Sequence, residues 1–518
     1  MDFIIKNATV FDGVSIEPQR LTVGVEGERI VHVGDELTNS AAKRVIDGTG
    51  LFLCPGFIDT HASTGFGYMR PHAADHKLFQ GVTTEIIGNC GVSSAPIGDL
   101  FVSEMEKLGE QIGFDFSWRT MGEWFAQVEA YGLPFNFGTY AGHNTMRAGA
   151  CKNYSDIQPE ELDQLGAMVE TAMRDGVLGM TTGLVYAPGS FADTAEVIRL
   201  AKIVAKHGGM YASHIRNERE ALLEAVAEAI EIGRAANLPV LVSHLKAGEK
   251  PYWGDVPKAI RLIEEARERG QQVTFEVYPY AAASTKLSTF VPKDAIQHGF
   301  DALPDLLRQD EWRKKCVDWF LNRQTGFETM WMVTDSIPGA QGKTILELAR
   351  EQNREPADLA VDILIADPMA WIVYKCMSDD DVDAAVMWEN SNICSDSWSY
   401  PVNAETTIGH PHPRTFGAFS RFLERWALRE EKIPFGHAVR KITSIPANFL
   451  RLTGRGKIQE GHYADLVLLD PENVQEKATI ANPRQFSEGT EYVWVNGTLM
   501  LEKGDLYTHK PGHLLRRK

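Results

Sequence analysis

The sequence has few basic residues for its size and no long run of apolar ones. Of its 518 residues, 52 are Lys or Arg and 70 are Asp or Glu, which gives a formal net charge of −18. Because binding to phosphate-rich surfaces needs a concentrated basic patch, this balance argues against a nucleic-acid or anionic-membrane partner. No window approaches the roughly 18 uninterrupted apolar residues of a membrane-spanning helix. The sequence therefore indicates a globular protein without a membrane partner.

Cysteine is also scarce, and the six cysteines are scattered along the chain. They lack the close, regular spacing of a small disulfide-bonded scaffold, which favours reduced thiols and a cytoplasmic location. The first residues lack a basic stretch followed by a long apolar one, so we expect no secretory signal. A reduced cysteine is then available as a metal ligand.

Both ends of the chain contain short β-branched and apolar stretches separated by glycine and aspartate turns. Examples are FIIKNATVF near the start and EYVWVNGTLMLEKGDLY near the end. Such stretches are typical of strands. We expect residues 1–55 and 450–518 to form one small β-sandwich domain built from both termini.

Between these ends, eight short apolar runs alternate with helical stretches, which is the pattern of parallel βα units. The runs cover 56–63, 83–90, 135–143, 178–186, 210–216, 239–246, 272–280 and 391–397. Eight such units predict the α/β class, with a TIM-type (β/α)8 barrel over 56–449. The connection between the last two runs is far longer than a usual βα loop. We predict an insertion near 290–345, which is either a lid over the barrel mouth or a surface elaboration without function.

Each run ends in a chemically capable residue, and in a β/α barrel this rim carries the active site. Cys90, His214 and His244 end the second, fifth and sixth runs. A catalytic zinc ion takes three ligands of these types and keeps one position open for water. Taken singly, each residue could instead be a packed thiol or a hydrogen-bonded core histidine. As a set at one rim, they predict a zinc site.

Asp396 ends the eighth run, in the stretch CSDSW. A carboxylate beside an activated water can take its proton and pass it to the leaving group. The alternative role is capping of the following helix, since aspartate is a favoured N-cap residue. We expect Asp396 to be the catalytic base.

The chain resembles the N-acyl-D-amino-acid deacylase (D-aminoacylase) family of the amidohydrolase superfamily. The stretches that carry the resemblance are PGFIDTHAS, QGVTTEIIGNCGVSSAPI, TTGLVYAPG, YASHIRNE, VSHLKAG, EVYPYAAAST, CSDSW, HPHPRTFGAF, KITSIPANFLRLTGRGKIQEGHYADLVLLDP and VWVNG. They cover nearly the whole chain in collinear order. The resemblance implies a β/α barrel with a small β-sandwich from both termini. It also implies zinc-dependent hydrolysis of the amide bond in a small molecule, an N-acyl amino acid, with N-acyl-D-amino acids as the expected substrates.

The resemblance also assigns roles residue by residue. The zinc ligands of the family correspond to Cys90, His214 and His244, and its general base corresponds to Asp396. The residues expected to bind the substrate are Lys246, Tyr186, Tyr280, Ser284, His143 and Arg414.

Several of these substrate-binding assignments have an alternative. Lys246 and Tyr186 resemble contacts of the family to the substrate carboxylate, but Lys246 could be a solvated rim lysine and Tyr186 could pack at the barrel mouth. His143 could form a structural hydrogen bond instead of approaching the substrate. Arg414 could pair with an anionic group, although nothing in the sequence decides this.

One position departs from the family pattern. The family begins its first barrel strand with two histidines, as HxH, whereas this chain has His61-Ala62-Ser63. Serine is a poor zinc ligand beside imidazole. We therefore expect one tight zinc ion and a weak or empty second position, with His61 either touching the metal or forming a hydrogen bond within the barrel.

The serine at position 63 also leaves other functions open. The enzyme could act on another amide, a cyclic amide, a carbamoyl compound or an ester, because one fold hosts many chemistries. A catalytically silent member of the fold is a further alternative. The oligomeric state is open as well.

Overall fold

The structure is a computed structural model. It describes residues 1–35, 37, 42–63, 72, 75–103, 105–106, 115–297, 299–322, 326–334, 337–399 and 409–517. Parts of the predicted insertion, namely 298, 323–325 and 335–336, lie outside the described residues, as do 36, 38–41 and 518 of the predicted sandwich.

The described residues contain strands in all parts of the chain. In chain order these are β1 Phe3–Lys6, β2 Thr9–Val10, β3 Gln19–Arg20, β4 Thr22–Glu26, β5 Arg29–Gly34, β6 Arg44–Asp47, β7 Phe52–Pro55, β8 Phe57–Asp59, β9 Val82–Ile87, β10 Asn136–Thr139, β11 Ala141–Gly142, β12 Gly179–Gly183, β13 Met210–His214, β14 Val240–Val242, β15 Val273–Val277, β16 Ala282–Lys286, β17 Met330–Met332, β18 Trp371–Lys375, β19 Asn392–Ile393, β20 Leu466–Leu469, β21 Thr490–Val495, β22 Thr498–Glu502, β23 Asp505–Leu506 and β24 Leu514–Leu515.

Helices occupy most of the connections between the central strands. They are α1 Asp75–Leu78, α2 Met121–Tyr131, α3 His143–Ala150, α4 Pro159–Asp175, α5 Thr194–Lys206, α6 Leu222–Ala236, α7 Val256–Glu268, α8 Leu303–Leu307, α9 Asp310–Leu321, α10 Ile345–Glu351, α11 Pro356–Ala366, α12 Asp379–Met387, α13 Arg414–Phe422, α14 Phe435–Lys441 and α15 Ser444–Phe449. Within the described part of the chain, none of the helices is long and apolar enough to cross a membrane.

The central strands form a parallel barrel in chain order. Strands β8, β9, β10 with β11, β12, β13, β14, β15 and β19 each pair in parallel with the next. β10 and β11 are two halves of one barrel strand, because β10 pairs with β9 and β11 pairs with β12. The ring closes where Ala62 bridges Ser397 and where the Asp396 amide donates to the His61 carbonyl at 2.9 Å. The predicted (β/α)8 barrel is confirmed.

Alternation along the strands decides which side chains enter the barrel. In β13, Met210 and Ala212 belong to a buried cluster with Ile58 and Leu241 from other barrel strands, which places them inside the ring. Tyr211 belongs instead to the larger core between strands and helices. Because side chains of a strand alternate between its two faces, the next inward position after Ala212 is occupied by the last residue of β13. That residue is a histidine.

Helix α4 shows how local sequence sets the boundaries of a barrel helix. Pro159 occupies its first turn, where proline costs no hydrogen bond. The Glu161 side chain accepts from the Gln158 backbone amide at 3.0 Å, as in a capping box. Gly176 ends the helix in the left-handed conformation, with φ of 106°.

Strands from both ends of the chain form two further sheets. One has the order β5-β4-β1-β6 and the other β23-β22-β21-β20-β7-β2-β3. They enclose a separate buried cluster that includes Ile5, Val25, Leu53, Leu466 and Trp494. The β-sandwich from both termini is thus confirmed as part of the fold, although β24 pairs with barrel strand β10 instead of joining it. The boundaries at residues 55 and 450 stay a prediction.

The long connection between β15 and β19 has its own structure. Strands β16, β17 and β18 form a small antiparallel sheet, and helices α8 to α11 lie between them in sequence. This structure extends beyond the predicted 290–345 at both ends, since β16 begins at Ala282 and β18 ends at Lys375. A lid function for it stays a prediction.

A buried ion pair links the sandwich to the barrel. Arg455 and Asp465 form this pair, and their side chains are only 3% and 5% exposed. Asp465 also accepts from the side-chain amide of Asn136 on β10 at 3.1 Å and from the Asn496 backbone amide at 2.9 Å. Removing the carboxylate would leave the buried Arg455 guanidinium without the counter-ion of this pair.

We expect the substitution Asp465→Ala to lower the free energy of unfolding by about 3–5 kcal/mol, the usual cost of breaking a buried ion pair on one side. Chemical denaturation followed by circular dichroism measures this change. The control is Asp305→Ala, which breaks an exposed pair with Arg308 and should cost about 0–1 kcal/mol. Equal losses in the two variants would contradict a special role of the junction.

Candidate metal centre

Five residues singled out in the sequence meet at the carboxyl ends of barrel strands. His61 follows β8, Cys90 follows β9, His214 ends β13, His244 follows β14 and Asp396 follows β19. Parallel strands of a closed barrel bring these ends to one rim. The structure therefore places all five residues at the rim of the barrel, as the sequence predicts.

Three of these residues have a left-handed backbone. The φ angles are 52° at Cys90, 36° at His244 and 45° at Asp396. For a residue with a side chain, such a conformation costs on the order of 1–3 kcal/mol, and it is found most often at functional sites. The turn at Cys90 also needs a glycine beside it, because a Cβ on Gly183 would lie 2.2 Å from the Cys90 carbonyl oxygen.

Three imidazole nitrogens converge on the Cys90 sulfur. Its Sγ lies 3.3 Å from His61 Nε2, 3.4 Å from His214 Nδ1 and 3.3 Å from His244 Nε2. Around a tetrahedral zinc ion, sulfur and nitrogen ligands lie about 3.6 Å apart, given the usual zinc–ligand distances. His61, Cys90, His244 and Asp396 each offer a ligand atom within 4.8 Å of the others. The donor types and their spacing fit zinc.

His61 has partners on both ring nitrogens. Its Nδ1 is hydrogen-bonded to Glu276, which is fully buried and whose other oxygen accepts from the Thr60 hydroxyl. Burial alone would lower the pKa of His61, but Cys90, Glu276 and Asp396 raise it well above its ordinary value. The Nε2 of His61 faces Cys90 Sγ, and the metal-binding role of His61 stays a prediction.

Asp396 is held by a cation. Its Oδ2 lies 2.9 Å from Arg414 Nη1, and its Oδ1 lies 3.4 Å from His61 Nε2. Burial would raise the pKa of this carboxyl, but Arg414 and His61 bring it well below its usual range. Asp396 is therefore ionised at neutral pH. Its role as the catalytic base stays a prediction.

Glu218 is a member of the centre that the sequence reasoning missed. Its Oε1 lies 3.2 Å from His244 Nδ1 and 3.6 Å from His214 Nε2. It also pairs with Lys246, whose Nζ is 2.5 Å away. The available signal was its position, because it follows His214 by four residues. Lys246 is thus engaged by a protein carboxylate, and its predicted contact to a substrate stays a prediction.

The remaining predicted substrate-binding residues divide into two groups. Tyr186 borders the centre, with its ring centroid 4.8 Å from that of His214 and its hydroxyl 3.3 Å from Thr285 Oγ1. Arg414 borders it through Asp396. In contrast, the structure places His143, Tyr280 and Ser284 against other partners.

These other partners are clear in each case. His143 is buried with its Nε2 2.9 Å from Glu196, which supports its structural alternative. Tyr280 donates to Glu476, and Ser284 pairs with Val373 in the sheet of the long connection.

Tyr278, two residues before Tyr280, lies closer to the centre. The Arg414 guanidinium carbon is 4.4 Å from the centroid of its ring, and Lys246 Nζ is 5.6 Å from it. Tyr278 lies within the seventh predicted run, 272–280, and no motif in the sequence assigns it a role.

Comparison with known proteins first identifies the class of protein to which this chain belongs. A profile of the Amidohydrolase family matches residues 402–500. Together with the barrel and its rim of metal-ligand types, this makes the protein an amidohydrolase.

The particular family follows from full-length similarity. The chain is 30% identical over 521 residues to the D-aminoacylase of Alcaligenes xylosoxydans xylosoxydans, covering 100% of this chain and 98% of that protein. It belongs to the D-aminoacylase family, which confirms the resemblance inferred from the motifs.

Solved structures of similar proteins contain metal. An N-acyl-D-glutamate deacylase from Bordetella bronchiseptica, complexed with zinc and a phosphonate mimic of the tetrahedral intermediate, has 27% identity and a TM-score of 0.84, with 100% and 99% of the two chains covered. A D-aminoacylase with a binuclear metal centre has 30% identity and a TM-score of 0.84, with full coverage of both chains.

The thiol of Cys90 differs from the other cysteines. Burial raises its pKa, but the neighbouring His61 and His244 reverse this and lower it below the ordinary value. Burial raises the pKa of Cys316 to about 11 and also raises that of Cys54. In the absence of metal, the thiolate fraction at neutral pH is therefore largest at Cys90.

We expect iodoacetamide to modify Cys90 faster than Cys54 or Cys316 in metal-free protein at neutral pH, since the thiolate is the reactive form. Peptide mass spectrometry measures the rate at each cysteine. Added Zn²⁺ should protect Cys90, and a Cys90→Ser variant should lack the fast site. Equal rates at Cys90 and Cys316 would contradict the assignment.

Proposed function

We propose that this protein is a zinc-dependent amidohydrolase that hydrolyses the amide bond of N-acyl amino acids, with N-acyl-D-amino acids as substrates. The observation that carries the proposal is the convergence of three imidazoles on the Cys90 thiol beside an ionised Asp396. Family membership supports the substrate class, because the similar D-aminoacylase and N-acyl-D-glutamate deacylase act on such small molecules. The free cysteines support the proposed cytoplasmic setting.

Cys90, His214 and His244 would hold the zinc ion, with His61 as a further ligand. Zinc bound there would polarise the acyl carbonyl and lower the pKa of a bound water. Ser63 offers no imidazole to a second ion, which supports one tight site.

Asp396 moves the proton in this proposal. Its carboxylate takes a proton from the water as the water oxygen attacks the acyl carbon. It then gives the proton to the nitrogen of the leaving amino acid as the carbon–nitrogen bond breaks. Arg414 keeps Asp396 ionised and fixes its orientation through the 2.9 Å contact.

Arg414 is the better placed of the two cations for holding the carboxylate of the substrate. Its side chain is 6% exposed, and its Nε has no hydrogen-bond partner among the described residues. Lys246 is already neutralised by Glu218. Tyr186 would line the same space, whereas roles of Tyr280, Ser284 and His143 toward substrate have less support from their contacts.

A substrate panel tests the proposed activity. Wild-type protein should release free amino acid from N-acyl-D-amino acids faster than from N-acyl-L-amino acids, and cyclic amides should be poor substrates. Asp396→Asn should lower kcat/KM by about 10²–10⁴-fold, the usual share of general acid–base catalysis. Asp380→Asn, an exposed carboxylate on α12, is the matched control and should leave activity unchanged. Turnover of cyclic amides alone would overturn the substrate class.

Metal content tests the number of zinc ions. Elemental analysis of purified protein should give one zinc per chain, and Cys90→Ala should remove it together with turnover. Ser63→His should raise the content toward two, because it restores an imidazole at the second position. Cys316→Ala is the control and should keep the wild-type content. Two tightly held ions in the wild-type protein would contradict the single-site proposal.

A further inference from the structure

The carboxylate of Glu218 lies behind two of the proposed zinc ligands. His214 presents Nδ1 to Cys90 and Nε2 to Glu218, whereas His244 presents Nε2 to Cys90 and Nδ1 to Glu218. The two rings therefore use opposite nitrogens toward the sulfur. The Glu218 Oε1 lies 3.2 Å from the remaining nitrogen of His244, within hydrogen-bond distance, and 3.6 Å from that of His214, which is an electrostatic contact only. Among the described residues His214 Nε2 has no hydrogen-bond partner.

This arrangement matters because a neutral imidazole carries its hydrogen on only one nitrogen. A nitrogen that binds metal has no hydrogen, so the other nitrogen of the same ring must carry it. The two histidines are 4% and 2% exposed, and a buried N–H without an acceptor is costly. An ionised carboxylate only accepts hydrogen bonds, so it selects the tautomer that leaves the inner nitrogen free.

Lys246 cannot do this in place of Glu218. Its Nζ lies 2.7 Å from His244 Nδ1, but an ammonium group only donates hydrogen bonds and cannot accept one from an N–H. A donation from Lys246 to Nδ1 would favour the opposite tautomer, with the hydrogen of His244 directed at Cys90. Glu218 is thus the group beside His244 Nδ1 that opposes this tautomer.

A direct metal-binding role for Glu218 is disfavoured by the same lysine. His214, Glu218 and His244 do offer three ligand atoms within 4.8 Å of one another. However, the Lys246 ammonium already lies 2.5 Å from the Glu218 carboxylate and would repel a second cation there. Orientation of the histidines is the role that these contacts allow.

We propose that Glu218 is a positioning residue that fixes the tautomer of His244 through the 3.2 Å contact to Nδ1, favours the matching tautomer of His214 by its negative charge, and thereby sets the affinity of the centre for metal. This inference rests on the proposed function for the identity of the metal ligands. It does not depend on which substrate is hydrolysed.

The test measures Co²⁺ binding to the metal-free full chain by competition with a chelator, together with the absorption bands of the thiolate–Co²⁺ complex. Glu218→Gln should weaken Co²⁺ binding by about 10–100-fold, the usual effect of removing such a partner. Its absorption bands should also change, since the amide NH₂ donates toward one ring. Glu218→Asp should recover part of the affinity.

The matched control is Glu220→Gln. It removes the same charge from a side chain that lies two residues further along the chain and is 57% exposed. It should bind Co²⁺ like wild type. Circular dichroism and the unfolding midpoint establish that each variant is folded, and Glu218→Asp carries the test if Glu218→Gln does not fold.

Unchanged Co²⁺ affinity and unchanged absorption in Glu218→Gln would overturn the inference. An equal loss of Co²⁺ affinity in Glu220→Gln would also overturn it, because it would indicate an effect of long-range charge instead of orientation. If Glu218→Asp is the variant that carries the test, wild-type affinity in it overturns the inference. If the wild-type protein lacks deacylase activity, the proposed function is wrong, but the Co²⁺ affinities of the variants still decide the role of Glu218. The two failures are therefore distinguishable.

Discussion

The convergence of imidazole nitrogens on the Cys90 sulfur is the interaction around which the rim of the barrel is arranged. Polar atoms within 3.4 Å of one another in a buried place lose their hydration and need compensation. The left-handed turns at Cys90, His244 and Asp396 add a conformational cost. The closed ring of strands tolerates this because its hydrogen bonds and interior packing fix each strand end independently of the site.

Charges around this convergence are paired in a regular way. Glu276 lies behind His61, and Glu218 lies behind His214 and His244. Arg414 balances the charge of Asp396. Each histidine thus has a carboxylate close to the nitrogen that turns away from Cys90, which is the usual way in which proteins orient metal ligands. The electrostatics of the site extend well beyond the residues that would touch zinc.

Much of this could be predicted because the patterns involved are local. Parallel strands that end in Cys90, His214 and Asp396 must bring these residues to one rim, whatever the loops do. Glu276 is a different case, since 215 residues separate it from His61 and no local pattern links the two. The two tyrosines of the seventh barrel run are a similar case, because the sequence does not say that Tyr278 lies nearer to Arg414 and Lys246 while Tyr280 contacts Glu476.

The sequence by itself determined the α/β barrel, the sandwich from both termini, the family and the set of metal-ligand types. Strand periodicity, motif order and residue chemistry are all properties of short stretches of sequence. Only the tertiary structure decided which nitrogen of each histidine faces Cys90, that Lys246 is paired with Glu218, and that β24 pairs with barrel strand β10 instead of joining the sandwich. These outcomes depend on contacts between distant segments, and such contacts are set by the packing of the whole chain. No local pattern contains them.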